Sequence, residues 1–460
     1  MTASVQQRLA ELVASLRYDD LPAEVVRSTK LLLLDSLGCA FGGVDSRPAV
    51  AVRKMAERLG GRPQATVIGR GGKTSCALAV LANGTALRYL DFNDYYTGRD
   101  PAHPSSNLPV ALALGESEGH SGRELIAAIV AGYEIHLRLC DYAGQPSLWK
   151  RGWHHSTNAQ FSAAAIAARL LGGDAATIAH ALAIAASHHN TLAQLQAGSV
   201  AMTKATAEAW VAKGAVEAAL LASQGITGPA EIFEGKSGWT AAVAGEVSYE
   251  ELTVPFEGSF RISETCIKPY AVVGPALPAV EAAIDIHRSH RIQPAEVKRV
   301  RVHLPAFVLA TPSADPAKRL PENRETADHS YQYCVALALL EGDCSEAQFT
   351  EEKIKSPLVR ELLLKTELAE DPKISAHWPR AMGAAVIVEL ANGDRLEKLV
   401  LPQPGHPQNP LSEAQIFVKF DRLVSLAGQE KARIKTAVLD LENCDHIGDF
   451  MQLLEEKKTC

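Results

Sequence analysis

The feature that most constrains this chain is a set of helices that are apolar on every side. FSAAAIAARLL (161–171) and HALAIAAS (180–187) carry Ala, Leu and Ile around the whole helical circumference. A helix with one apolar stripe can lie at a surface, whereas one that is apolar all round belongs inside a bundle. The core is built from small residues, since aromatics supply only 6% of a chain that is 47% hydrophobic. That balance favours close-packed helices over a β-sandwich.

Local signals place the helices. Val5–Arg17 has apolar residues at helical spacing, and Pro22 opens a second stretch running to about Phe41, with Gly42 and Gly43 as its stop. Ser121-Gly-Arg-Glu124 is a capping box directly before LIAAIVAGYEIHLRL. Further helices are expected at 74–90, 108–118, 157–171, 175–187 and 203–224. Residues 1–262 therefore read as an all-helical domain. At 460 residues the chain is too long for that domain alone.

The texture changes near residue 260. AEVKRVRVHL (295–304) alternates like a half-buried strand, and 382–390 with 394–402 reads as a hairpin about Ala391-Asn392-Gly393. Helical stretches at 275–289 and 325–341 lie between them, giving an α+β module over 263–402. The last 50 or so residues return to helix, with Ser412-Glu-Ala-Gln415 as a cap, and are expected to complete the first domain as 403–460. The predicted fold is mainly α, with a helical domain built from both chain ends and an inserted α+β segment.

Several function classes are disfavoured. A net charge of −7 gives no general attraction to nucleic acid or an anionic membrane. The eight cysteines (39, 76, 140, 266, 334, 344, 444 and 460) contain no CxxC pair and read as reduced, mostly buried thiols. The amino terminus lacks a signal-peptide core, and no apolar run approaches the roughly 20 residues needed to span a bilayer, so a cytoplasmic protein is expected. GxGxxG after a strand, Walker, HExxH and GxSxG signatures are absent. His188-His189 are helix neighbours about 100° apart, a poor geometry for sharing a metal. No cluster of Cys and His suggests a structural zinc or iron–sulfur site, and no metal is expected.

Four segments carry the candidate chemistry. Tyr89-Leu-Asp-Phe-Asn-Asp94 sets acids at a helix C-terminus, where the macrodipole opposes them, and continues through a Gly- and Pro-bearing loop to His103. Arg151-Gly-Trp-His-His-Ser-Thr157 places His154 and His155 before a buried helix, either at a cleft or as core hydrogen-bonding groups. Ala197–Lys204 puts a lysine at the start of a long apolar helix, where free N–H groups suit an anion; the plain alternative is a surface lysine snorkelling near Glu208. Cys266-Ile-Lys-Pro-Tyr270 marks the junction of the two regions, a favoured place for pockets.

These segments, in this order, resemble the MmgE/PrpD family, which includes 2-methylcitrate dehydratase and cis-aconitate decarboxylase. The resemblance also covers Leu34–Ala40, GITGPAEIFEG and Asp328-His-Ser-Tyr-Gln-Tyr333. It implies a helical domain with an inserted lid, a site in the cleft between them, a homodimer and no obligatory cofactor. It further implies catalytic positions at Asp91, His103, His154, Lys204, Lys268 and Tyr333. Lys204 and Lys268 are expected on substrate carboxylates, the histidines on proton transfer, Asp91 as orienting group or base, and Tyr333 as a proton donor. His155 is expected to contact the substrate.

Two departures stand out. Asp94 is followed by Tyr95-Tyr96-Thr97 where relatives carry Thr and then His or Trp, and no Arg or His follows the Lys-Pro-Tyr motif in Ala271–Leu277. The missing cation suggests a smaller or less charged acid than methylcitrate, with Tyr95 and Tyr96 lining the pocket. The expected activity is a hydro-lyase on a small hydroxy polycarboxylate. A carboxy-lyase of the cis-aconitate type comes second, then an isomerase or epimerase, and last a non-catalytic binding protein.

Overall fold

The computed structural model describes residues 3–144, 147–425 and 428–455. Nine helices lead from the amino terminus: α1 Val5–Ser15, α2 Ala23–Gly43, α3 Arg47–Leu59, α4 Cys76–Tyr89, α5 Leu108–Ser117, α6 Gly122–Tyr142, α7 Ala159–Leu170, α8 Ala175–His188 and α9 Ala207–Ser223. The fold is mainly α. Helix α7, read from sequence as apolar all round, is buried along its length apart from half-buried Arg169 and packs among α5, α6, α8 and α9.

The predicted caps form. Ser121 Oγ accepts from Glu124 N while Glu124 Oε2 accepts from Ser121 N at 2.8 Å. The predicted stop holds as well, since helix α2 ends at Gly43. An added Cβ at Gly43 would lie 2.0 Å from the Ala86 carbonyl oxygen, so this glycine also lets the end of α2 approach α4. Helix α3, which sequence reading did not place, starts from a Ser46 cap with Pro48 in its first turn.

A second core surrounds a four-stranded sheet of order β6-β5-β7-β8, where β5 is Val297–Leu304, β6 Thr366–Glu370, β7 Ala384–Leu390 and β8 Arg395–Val400. Here β1–β4 denote two short ladders, Ala65–Thr66 with Lys73–Thr74 and Tyr96–Thr97 with Pro101–Ala102. The β7–β8 hairpin turns where Ala391-Asn392-Gly393 predicted, with Ile387 opposite Glu397. β6 pairs parallel to β5, Val300 opposite Thr366, and was not foreseen, because TELAE lacks an apolar alternation. Helices Leu277–Ser289 and Tyr331–Glu341 pack together within this second core, and the first also covers β7 and β8.

The helix predicted over 325–341 is broken. It forms as Arg324–Ala327 and Tyr331–Glu341, each with its own cap from Asn323 and Ser330. The break brings buried His329 to within reach of Asp91. Beyond the sheet the chain returns to the first core: Glu413–Leu423 and Gly428–Leu439 pack on α2, and Ile447–Gln452 packs on α5. Cysteines 39, 76, 140, 266, 334 and 344 are free and buried, and Cys444 is half-buried; Cys460 lies outside the described residues. Among the described residues no helix is long and apolar enough to cross a membrane.

Candidate active site

Helix α4 ends at Tyr89, and two residues later Asp91 takes a left-handed backbone with φ of 50°. Such a conformation costs a non-glycine residue roughly 1–2 kcal/mol, though Asp tolerates it better than most. It is held by what surrounds the carboxylate. Arg88 Nη1 and Lys268 Nζ reach Oδ1 at 3.1 and 3.2 Å, and Lys204 Nζ stands 3.4 Å from Oδ2. His329 Nε2 lies 3.7 Å from the same Oδ2. Burial alone would raise the Asp91 pKa, but Lys204, Lys268 and Arg88 together hold it well below the ordinary carboxylate range. The helix-end acid opposed by its dipole is thus offset by three buried cations.

The two lysines differ in what they leave free. Lys268 is fully buried and donates to Asp91 O, Asp91 Oδ1 and Val272 O. Burial pushes its ammonium down to about 8, with Arg88 and Lys204 adding to the shift against the pull of Asp91. Lys204 is also buried, and among the described residues its ammonium makes no hydrogen bond. The surface-lysine alternative is excluded. Glu208, its supposed surface partner, is itself buried and binds Arg88 Nε and His155 Nε2, both at 3.2 Å.

The histidines form a wall in front of these charges. His154 and His155 lie with ring centroids 3.9 Å apart and planes tilted by 35°, and the His103 ring lies 5.5 Å from that of His155. Their hydrogen bonds fix complementary tautomers. His103 Nδ1 is 2.7 Å from the Asp94 carbonyl, which can only accept, so Nδ1 carries the hydrogen and Nε2 keeps its lone pair. His154 Nδ1 lies 2.8 Å from the Ser156 hydroxyl and accepts from Ser156 N at 3.2 Å, so its hydrogen sits on Nε2, a buried atom with no partner among the described residues. Burial holds both imidazoles well below their ordinary pKa, with Arg88 and Lys268 adding to the effect at His103 and His155 at His154. Both are neutral near pH 7. One presents an acceptor, the other a donor.

These histidines edge a cavity between the two cores with about 70 Å³ of space open to water-sized groups. Tyr95, Asp100, His103, His154, His155 and Gln196 line one side, and Val273, Gly274, Phe307 and Trp378 the other. An ideal Cβ at Gly274 would lie 2.6 Å from the Tyr95 ring, so only glycine lets these walls meet. Lys318, fully buried, clasps the rim by donating to Gln196 O at 2.7 Å and to Pro312 O. Lys204 and Lys268 stand behind the wall rather than on it, linked to it through Arg88, Glu208 and His155.

A common local device sets the electrostatics. His103 precedes the 3₁₀ turn Pro104–Asn107 and α5, and His154 precedes His155–Asn158 and α7. Gly274–Ala276 likewise leads into the helix Leu277–Ser289. Three helix N-termini therefore begin at the cavity, and their dipoles favour negative charge there. Lys204 occupies the corresponding turn, Met202–Thr206, before α9.

Two expected residues do not join this group. Tyr333 directs its hydroxyl to the Gln348 carbonyl at 2.8 Å and its ring toward Phe349, away from the cavity. One turn position earlier in the same segment, the broken helix delivers His329 to Asp91 instead. Tyr96 faces a separate crevice, where its hydroxyl donates to Asp141 Oδ2 at 2.9 Å, because consecutive strand residues point to opposite sides. Tyr95 alone of the pair lines the cavity.

Arg88, Glu208, His329 and Asp100 were not singled out by sequence reading. A spacing of three between Arg88 and Asp91 was the one available hint, and it fits many surface pairs. Asp91, Asp328 and His329 offer ligand atoms within 4.8 Å of one another. Lys204 and Lys268 already flank both Asp91 oxygens, so a cation there would meet strong repulsion and these groups fit a metal poorly.

Two family models match, the MmgE/PrpD N-terminal domain over residues 7–252 and the MmgE/PrpD C-terminal domain over 270–443. The chain is 27% identical over 469 residues to a cis-aconitate decarboxylase of Mus musculus, covering 99% of this chain and 94% of that one. It is 27% identical to the cis-aconitate decarboxylase of Homo sapiens, covering 96% and 94%. It is 26% identical to a 2-methylcitrate dehydratase of Salmonella typhimurium, covering 89% and 87%.

Proposed function

The chain belongs to the MmgE/PrpD family, and from that membership we propose that it is a lyase acting on a small polycarboxylic acid, with dehydration of a hydroxy acid as its reaction. The observation that carries this reading is the opposed pair of neutral imidazoles, His103 with a free Nε2 lone pair and His154 with an unpartnered Nε2–H, on one cavity. In dehydration His103 Nε2 removes the proton beside a carboxylate, and the electrons of that C–H bond form the double bond as the hydroxyl departs. Negative charge grows on the carboxylate meanwhile. His154 Nε2–H donates to it, and the helix N-termini together with Arg88, Lys204 and Lys268 behind the wall stabilise it through space.

A decarboxylase is the second reading. It is favoured by the apolar face of the cavity, where Phe307 and Trp378 stack with centroids 3.9 Å apart and a leaving carboxylate would be stripped of water. Both named activities occur among the relatives at nearly equal identity.

The test is incubation of the purified protein with hydroxy di- and tricarboxylates and with their unsaturated products, in H₂O and D₂O. Dehydration gives ultraviolet absorbance without CO₂, decarboxylation releases CO₂, and exchange alone marks an isomerase. His103→Gln is expected to lower kcat by about 10²-fold or more with little change in KM. Consumption of no acid in the panel would remove the lyase reading.

A further inference from the structure

Dehydration needs an acid for the departing hydroxyl, and neither imidazole supplies one. His103 enters as the base, and a neutral imidazole N–H such as that of His154 donates a hydrogen bond but is a very weak acid. Another group on the cavity must give the proton.

Asp100 is the only carboxyl residue on the cavity wall among the described residues. It is 1% exposed, and among the described residues its two oxygens receive hydrogen bonds from one group, the Leu148 backbone N–H, at 3.2 and 3.0 Å. It lies in the hairpin loop that carries the chain from Tyr95 to His103, which sets both its side chain and the base on one wall.

We propose that Asp100 is a further catalytic residue, the acid that protonates the hydroxyl leaving from a substrate bound in this cavity. The assignment rests on the dehydratase reading above. The Asp100 O–H bond breaks as the Cβ–O bond breaks; the proton and the departing oxygen leave as water, and Asp100 remains as carboxylate. The proton taken by His103 passes to solvent, and Asp100 is reprotonated from solvent before the next turnover.

The surroundings suit a carboxyl that enters neutral. Burial raises its pKa to about 7, against the lowering effect of the Leu148 N–H. Among the described residues no cation pairs with it. Cys140 of α6, whose carbonyl accepts from Asp100 N, is a buried thiol held protonated by burial; His103 and His154 on the shared cavity are held neutral; and Arg99, next in the chain, is exposed. Asp94, nine residues from His103 by the same loop, differs. Ser105 and Tyr133 donate to its oxygens, and it takes no place on the cavity.

Asp100→Asn tests this, because the amide oxygen still accepts from Leu148 N while the proton is gone. The expected result is a fall in kcat of about 10²-fold or more with KM nearly unchanged. The alkaline limb of the kcat profile should also vanish, and Asp100→Glu should restore part of the rate. Infrared difference spectra of wild type minus Asp100→Asn read the carboxyl directly, with a titration midpoint near 7 expected. A variant that keeps wild-type kcat, or a carboxyl already ionised at pH 5, overturns the assignment. Should wild type dehydrate a hydroxy acid while the variant matches it, Asp100 alone is excluded; should wild type convert none, the dehydratase reading falls and the assignment with it.

Discussion

Lys419, near the carboxyl end of the chain, donates to the backbone carbonyl of Lys268 at 2.9 Å across a separation of 151 residues. The same ammonium donates to Phe92 O at 2.6 Å and pairs with Asp35 of α2 at 2.6 Å. One buried cation thus ties the backbone beside Asp91 and the backbone of Lys268 to the helical core. The charge cluster around Asp91 is positioned by the returning tail.

Lys419→Met should therefore lower both stability and activity. Removing one partner of a buried pair leaves Asp35 uncompensated, at a cost of about 3–5 kcal/mol in urea unfolding. Combining it with Asp35→Leu should recover most of that stability, yet kcat should stay low because both carbonyls still lack their donor. A double variant with full activity would show that Lys419 acts only on the fold.

Tyr333 and His329 give opposite expectations. Tyr333→Phe loses one hydrogen bond to Gln348 O, worth about 1 kcal/mol, and should leave kcat unchanged. His329→Gln disturbs the environment of Asp91 and should lower kcat by about tenfold, equivalent to about 1.4 kcal/mol of barrier. Steady-state kinetics beside thermal unfolding separates the two. Loss of kcat in Tyr333→Phe would return that tyrosine to the site.

The histidines set the pH dependence. His103 and His154 are held well below 6.5 in the folded state, so the base stays neutral as pH falls through 6.5 and kcat/KM should remain level there. An acid limb centred at 6.5 would contradict the assignment. Stability behaves differently, because the unfolded imidazoles take up protons near 6.5 while the folded ones do not. The unfolded state then binds more protons, so their contribution is complete above about 6.5 and declines as pH falls further. Asp100 has the reverse sign. Its folded value is raised to about 7, so its contribution is complete below the unfolded value near 3.9 and is lost as pH rises through about 7. Asp100→Asn removes only that part and should gain on wild type between those limits.

Gly43→Ala tests the close approach of α4 to the last residue of α2. Its new methyl would fall 2.0 Å from Ala86 O, an atom of the backbone that cannot move aside cheaply. A loss of about 1–3 kcal/mol is expected despite the better helix propensity of alanine. An unchanged or higher Tm would mean that α2 and α4 can separate without cost.

What the sequence determined by itself was local. Capping boxes at Ser121 and Ser412, the Asn392-Gly393 hairpin and the all-apolar α7 depend on residues within a few positions of one another, so spacing reveals them. The family motifs likewise marked the segments holding Asp91, His103, His154, Lys204 and Lys268. Tertiary structure decided what those segments do together. Asp91 meets Lys204, Lys268 and His329 only because separate elements of both cores converge, and the break at 328–330 chooses His329 over Tyr333. Neither the tautomers of His103 and His154 nor the burial of Asp100 can be read from spacing. The tautomers follow from which backbone group each folded loop turns toward its own histidine, and the burial of Asp100 from how a distant segment at Leu148 closes over it.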